Sequence, residues 1–420
     1  MSPNLFTLVF LAALISSTGL RLWLDLRHLR HVLAHRDRVP ADFVGRIELI
    51  EHRKAADYTA AKVRIGLIEI VIDVLVLLAL TLGGVLGWID LALQDRLGSG
   101  YLHGLALFAC VGLLGFVIGL PASLYRTFRI EERFGFNKLT WPLWFVDLAK
   151  GAVLTVLIGG PLLLAVLWLM DAMGGNWWLY VWLVWLATNL LMLFLYPTVI
   201  APLFNKFTPL EDVALKERIE ALLKRCGFAS SGLFVMDGSK RSAHGNAYFT
   251  GFGRAKRIVF FDTLLAKLAP GEIEAVLAHE LGHFRHRHVI KRIALSALMS
   301  LAFLWLLGQL IDQPWFFAGL GVGAGGTAST MGTAMGLLLF SLVLPVFLFP
   351  LAPLTSALSR KHEYEADAYA AKQTAAGDLV AALVKLYRDN AATLTPDPLH
   401  SLFHDTHPPA SQRIARLHHA

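Results

Sequence analysis

Seven apolar stretches, each long enough to cross a bilayer, constrain this chain more than any other feature. They fall at about 4–24, 65–93, 102–125, 142–170, 177–200, 293–312 and 334–356. A helix needs roughly 20 apolar residues to span the hydrocarbon core. Charged residues make up only 16% of the chain and its mean hydropathy is +0.56, which is the profile of an integral membrane protein. The first run, "LFTLVFLAALISSTGLRLWL", has no basic stretch before it and no clear cleavage signal after it, and reads as a retained span.

Basic residues sort by connection. Segment 21–64 carries 10 Lys/Arg, 126–141 four, 205–292 15 and 357–420 seven. The connections 94–101, 171–176 and 313–333 share only Arg96, and Lys150 lies within a span. That alternation follows the positive-inside rule with the N-terminus outside and the C-terminus in the cytoplasm, the weight resting on the short segments 21–64 and 126–141. The net charge of +7 is therefore read as membrane orientation, and no nucleic-acid partner is expected. Cys110 and Cys226 provide neither a disulfide framework nor a cysteine metal site.

Some spans carry charge. Glu69 and Asp73 are four apart, and Asp147 and Lys150 three apart, so each pair occupies one helix face. These faces are expected to meet one another or a water-filled interior. The plain alternative is that Glu69 and Lys150 reach the interface from span ends.

Four regions follow. Residues 1–204 hold spans one to five with cytoplasmic loops 25–64 and 126–141. Residues 205–292 form a polar cytoplasmic block, 293–356 hold spans six and seven, and 357–420 form a C-terminal cytoplasmic segment. The polar block opens with an amphipathic helix, "LEDVALKERIEALLKRCG", ended by Gly227. Strand-like runs "GLFVMD", "NAYFTGFG" and "KRIVFFD" follow, and a helix starts near Pro270-Gly271-Glu272.

That last helix carries His279-Glu280-Leu281-Gly282-His283. Residues i and i+4 stack on one helix face, so the two imidazoles can bind one tetrahedral cation. Glu280 lies beside that face and can take the proton of a water whose pKa zinc lowers to about 7, the arrangement that peptide hydrolysis requires. The competing reading is an interfacial basic helix. His286 and His288, in "HFRHRH", are assigned to headgroups on that ground.

A catalytic zinc needs a third protein ligand. "LSRKHEYEADAYAAK", residues 358–372, places Glu363 and Asp367 at i, i+4. One face thus offers a carboxylate ligand and an outer carboxylate to orient a ligating histidine. Glu365 points elsewhere and reads as solvated; alone, the acidic cluster would be an ordinary helix surface. The two segments flank spans six and seven, and an antiparallel pair of spans returns one beside the other.

Six blocks in order, "EERFGFNKLT", "YPTVIAPLFNKFTPL", "NAYFTGFGRAKRIVFFDTLL", "AVLAHELGH", "SRKHEYEAD" and "HPPASQRIARL", together resemble the type I CAAX prenyl protease family of integral-membrane zinc metallopeptidases. The resemblance runs from about residue 125 to 417. It implies an all-α polytopic membrane protein in which seven long helices form a barrel around a water-filled chamber, with a small α+β zinc-peptidase domain on the cytoplasmic side. It implies His279, His283 and Glu363 as ligands of Zn2+, Glu280 as catalytic base, Asp367 as the acid orienting a zinc histidine, His407 as an oxyanion donor and Arg413 as an arginine near the site. "SAHGNAYFTGF" matches an edge strand on which Asn246, Ala247 and Tyr248 would pair with extended substrate. The implied partners are the lipid bilayer and a peptide or protein substrate that is C-terminally prenylated in eukaryotic relatives.

The end of the chain, "RLHHA", carries no ER-retrieval signal, and the protein is read as bacterial and resident in the inner membrane. Two alternatives remain. One is a quality-control zinc endopeptidase acting on damaged membrane proteins. The other is a seven-span transporter with a structural metal, which would require a closed set of four protein ligands.

Overall fold

A computed structural model describes residues 1–250, 257–323 and 330–418. The end of the expected edge-strand segment, residues 251–252, lies outside these described residues.

Helix α1, Pro3–Ala34, continues ten residues past its apolar stretch into the polar layer. Helices α2, Leu49–Leu80, and α3, Val85–Leu97, meet at 52°, so the stretch expected as one span over 65–93 is broken. Thr81 donates its hydroxyl to the Leu77 carbonyl at 2.6 Å, and Gly84 takes φ +74° to start α3 in a new direction. Helix α4, Tyr101–Tyr125, runs on through a π-turn at Arg126–Glu131. Helices α5, Trp141–Leu154, and α6, Gly160–Ala172, form one run across a second π-turn, where Pro161 has no N–H to give the preceding turn. Helix α7, Trp177–Leu195, passes a third π-turn at Pro197 into α8, Ala201–Phe204.

The polar block begins with strand β1, Phe207–Pro209, three residues too short to show a period in the sequence. Helix α9, Val213–Arg225, is amphipathic as expected. Asp212 caps it by accepting from Leu215 N–H at 3.0 Å, Leu215, Ile219 and Leu222 are buried, and Gly227 ends it at φ +65°. Strands β2, Leu233–Met236, β3, Ala247–Thr250, and β4, Arg257–Phe261, follow the three strand-like runs. The sheet order is β1-β2-β4-β3, with β2 and β4 parallel and the other pairs antiparallel, so β3 is an edge. Short helix α10, Asp262–Leu265, leads to α11, Pro270–Arg285, whose start is where the sequence put it.

Helix α12, His288–Leu310, crosses away and α13, Pro314–Gly319, turns the chain. Helix α14, Thr330–Leu348, then returns and continues through a 3-10 turn into α15, Ala352–Gln373. Helices α16, Ala376–Asp389, α17, Pro398–His404, and α18, Ala410–Leu417, complete the fold. Six helical runs, or seven when the bent α2–α3 pair counts as one, are long and apolar enough to cross a membrane.

Among the described residues, two large apolar cores and a smaller one around Tyr58, Ile130, Phe134 and Phe136 hold this together. Phe10, Leu86, Leu107, Leu307 and Leu339 are buried between the long helices. Ile219, Ile258, Phe260 and Leu264 of the polar block pack with Leu379, Leu383 and Ile414 of the C-terminal segment, so those two parts share one core.

The charged pairs on spans two and four do not meet each other. Glu69 pairs with Arg126, Asp147 takes two nitrogens of Arg241 at 2.8 and 2.9 Å, and Lys150 donates to the Leu203 carbonyl at 2.6 Å. Arginines and carbonyls at the polar ends of neighbouring elements satisfy these groups, as the cost of an unpaired charge demands. Asp73 and Arg21 line a cavity of about 270 Å³ between α1, α2 and α14.

Candidate metal centre

Helices α11 and α15 place the chemistry. Pro270 starts α11 without wasting an N–H, and Glu272 accepts from Ala269 N–H at 2.7 Å. Ile273, Leu277 and Leu281 anchor one side of the helix in the core. The face carrying His279 and His283 is thereby turned onto α15, whose long run from the membrane brings Glu363 and Asp367 opposite.

Three donors converge. His279 Nε2 lies 3.3 Å from Glu363 Oε2, His283 Nε2 lies 3.4 Å from Glu363 Oε1, and the two Nε2 atoms are 3.3 Å apart. Glu363 is 5% exposed, and its Oε2 is buried without a hydrogen bond among the described residues. Lone pairs crowded this closely need a cation between them. Ligands about 2.0–2.2 Å from a tetrahedral zinc sit roughly 3.3 Å from one another, so the donor chemistry and spacing both fit that ion. Glu280 is half-buried beside this group. Burial pushes its carboxyl above the ordinary 4.5, while the charges of His279 and His283 pull the other way.

The outward nitrogens are held as well. His279 Nδ1 donates to Asp367 Oδ1 at 2.8 Å. Arg413 clamps the same carboxylate, Nε to Oδ2 at 2.8 Å and Nη2 to Oδ1 at 2.6 Å. In the metal-free protein, burial works against a charged His279 ring, but the Asp367 and Glu363 carboxylates outweigh it and raise the pKa to about 9.

For His283 the partner is His288, which the sequence reading assigned to headgroups. His288 is 2% exposed, with its Nδ1 3.0 Å from His283 Nδ1 and its Nε2 2.8 Å from Glu365 Oε2. Glu365, read as solvated, accepts from His288 Nε2–H. The His288 Nδ1 lone pair then accepts from His283 Nδ1–H, leaving His283 Nε2 bare. Arg287, at φ +55°, makes the break between α11 and α12 that folds His288 back.

His407 Nε2 lies 3.4 Å from Glu363 Oε1 although 62% of its side chain is exposed. Its loop is fixed by Arg360 Nη1, which donates to the carbonyls of Ser401 at 3.1 Å and Asp405 at 2.9 Å. Asn246, Ala247 and Tyr248 stand apart. They belong to the edge of the sheet beside α11, where Phe249 packs its ring 5.1 Å from Phe284, and stand away from the converging donors.

Helices long and apolar enough to cross a membrane, together with a His-His-Glu group and a carboxylate beside it, define a membrane metallopeptidase. Comparison with known proteins agrees along the whole length. Residues 28–206 match the CAAX prenyl protease N-terminal region of five membrane helices, and residues 209–420 match peptidase family M48. CAAX prenyl protease 1 homolog of Arabidopsis thaliana is 36% identical over 94% of this chain and 93% of its own. CAAX prenyl protease 1 of Saccharomyces cerevisiae is 38% identical over 75% of this chain and 72% of its own. The crystal structure of S. mikatae Ste24p superimposes with a TM-score of 0.90 at 31% identity, covering 98% of this chain and 99% of that one. The chain belongs to peptidase family M48.

Proposed function

We propose that this metallopeptidase is a zinc endopeptidase that cuts peptide substrates at the membrane, with C-terminally prenylated peptides as its substrate class. The observation that carries the reading is the open donor set: three converging donors with Glu280 alongside, where a structural zinc would have four. That count also disfavours a transporter with a structural metal.

In this reading His279, His283 and Glu363 hold the ion. When bound, zinc supplies the charge that polarises a scissile carbonyl and acidifies water. Glu280 takes the proton of the attacking water and delivers it to the leaving nitrogen. Asp367, held by Arg413, and His288, held by Glu365, keep the two imidazoles in the tautomer that presents Nε2 inward. His407 donates to the oxygen that gains charge as the carbonyl is attacked. The edge of the sheet at Asn246 and, in β3, Ala247 and Tyr248 receives extended substrate through backbone hydrogen bonds, which tolerates varied side chains.

The seven spans enclose a water-filled chamber onto which this site opens; the exposure of His407 above a buried Glu363 supports it. The domain division proposed from the sequence goes with it: spans 1–204 and 293–356, and two polar parts, 205–292 and 357–420, on the cytoplasmic side. The N-terminus lies outside, supported by the placement of Lys and Arg, and the membrane is read as the bacterial inner membrane. A bacterial host without prenylated proteins would present other membrane clients to the same chemistry, including damaged ones.

The test is metal analysis combined with mass spectrometry of products from a farnesylated and an unprenylated peptide. One zinc per catalytic site and zinc-dependent release of a C-terminal tripeptide are expected. Turnover that survives chelation refutes the mechanism, and equal rates on both peptides refute the prenyl preference.

A further inference from the structure

We propose that His244 is a positioning residue for the peptide-binding edge: braced by Glu131 and Asn390, its ring fixes the path of the chain into β3. The inference rests on substrate pairing with the edge at Asn246, Ala247 and Tyr248. It gives a role to the block "EERFGFNKLT", residues 131–140, which the metal centre does not use.

Residues 241–243 run beside that block. Lys138 N–H donates to the Arg241 carbonyl at 3.1 Å, and Ala243 N–H donates to the Phe136 carbonyl at 3.0 Å. The His244 ring then stacks on Phe136, with centroids 4.3 Å apart and planes at 22°. Its two nitrogens reach different elements. Nε2 lies 3.4 Å from Glu131 Oε2, in the π-turn that continues α4, and Nδ1 lies 3.2 Å from Asn390 Oδ1, just past α16. Glu131 is held in turn, because Tyr58 of α2 donates its hydroxyl to Oε1.

The same Asn390 oxygen accepts from Gly245 N–H at 3.3 Å, which identifies the atom, since an amide NH2 there could not accept. On the other side, the His244 carbonyl accepts from Thr263 Oγ1 at 2.9 Å, and the Asn246 carbonyl accepts from Phe261 N–H at 3.0 Å. Residues 244–246 are thus tied to β4 and α10 on one flank and to Asn390 and Glu131 on the other. The His244 side chain is 34% exposed, so these bonds rather than burial place the ring. A strand that binds through its backbone gains affinity when its path is set before the peptide arrives. His244 sets it by joining the edge to two helices, α2 and α4, that come from the membrane spans.

The experiment measures amide hydrogen exchange at residues 245–250 and hydrolysis of a farnesylated peptide, on full-length zinc-loaded protein in detergent. His244→Ala is expected to speed exchange there and to raise KM about tenfold, the worth of one or two hydrogen bonds. Its kcat and zinc content should stay at the parent values. Asn390→Ala repeats the effect, and Asn390→Asp, which keeps the acceptor for Gly245 N–H, returns KM most of the way. Should His244→Ala misfold, the Asn390 pair carries the test. A role in stability alone predicts loss of zinc and kcat together, without rescue by aspartate, and that pattern overturns the proposal. Unchanged exchange in His244→Ala and Asn390→Ala overturns it too, and leaves the peptide-binding edge standing. Faster exchange with a parental KM overturns both.

Discussion

A methyl group placed on Gly282 would lie 2.8 Å from Cα of Ala366 and 3.1 Å from its carbonyl oxygen. Gly282 sits between the two histidines of α11, and Ala366 between Glu363 and Asp367 of α15. The bare backbone therefore sets how closely the donors of one helix approach those of the other. Backbone cannot swing aside as a long side chain can. Gly282→Ala is expected to push α15 outward by a fraction of an ångström, costing about 1–3 kcal/mol in overpacking. Displaced ligands should lower turnover about 100-fold and leave zinc occupancy below that of the parent protein. Unaltered zinc affinity and turnover would show that the contact is not what sets the donor spacing.

Glu280 and Glu363 separate two kinds of loss. Glu280→Gln leaves the converging donors intact while removing the base. Zinc content should stay at the parent value and turnover fall by at least 100-fold. Glu363→Ala removes a donor and should lose both zinc and activity. Parallel measurement of bound metal and peptide hydrolysis distinguishes them, and normal activity in Glu280→Gln would remove Glu280 from the mechanism.

The His283–His288–Glu365 chain makes a prediction about affinity. Outer groups that orient a ligating histidine commonly contribute 10- to 100-fold in metal binding. His288→Ala should weaken zinc by about that factor. Glu365→Gln should weaken it less, because the amide oxygen still accepts from His288 Nε2–H. Chelator competition measures both, and unchanged affinity in His288→Ala would make the chain ornamental to zinc.

How far these partners could be read from the sequence depends on chain distance. His279 with His283 and Glu363 with Asp367 were legible because a straight helix puts i and i+4 on one face. His288 is i+5 from His283, about 140° round a straight helix. Only the left-handed Arg287 turns it back, and nothing local announces that residue's φ of +55°. Arg413 lies 46 positions from Asp367 and entered only through the family resemblance. Six of the spans were legible from hydropathy as long apolar helices, but the bend at Thr81–Gly84 that breaks the seventh was not, since the apolar character runs on across it. The Gly83-Gly84 pair was its one mark. The partners of Glu69 and Asp147, Arg126 and Arg241, could not be named because they come from outside the spans.

The pH dependence of zinc binding follows from His279. Its pKa in the metal-free protein is raised from 6.5 to about 9. Below that value the folded, metal-free ring holds a proton that zinc must displace. The His279 contribution should therefore make zinc affinity climb about tenfold per pH unit as pH rises toward 9, then level off, with one proton released per ion at pH 7.5 from this group. The folded state also holds this proton more tightly than the unfolded chain. The His279 contribution to stability of the metal-free protein is thus complete below pH 6.5 and disappears as pH rises through about 9. Zinc titrations in weak and strong buffers read the proton release; none at pH 7.5 would contradict the assignment.

His407 reaches Glu363 from an exposed loop, so its removal should not disturb the buried donors. A donor aimed at charge that develops only during attack contributes mainly to kcat, commonly about 100- to 1,000-fold. His407→Ala is expected to keep its zinc and bind peptide with little change in KM while kcat falls by that order. His407→Gln, which retains an N–H donor, should recover part of the loss. A purely structural role for the loop predicts the reverse pattern: zinc or KM would change together with kcat, and glutamine would rescue no better than alanine.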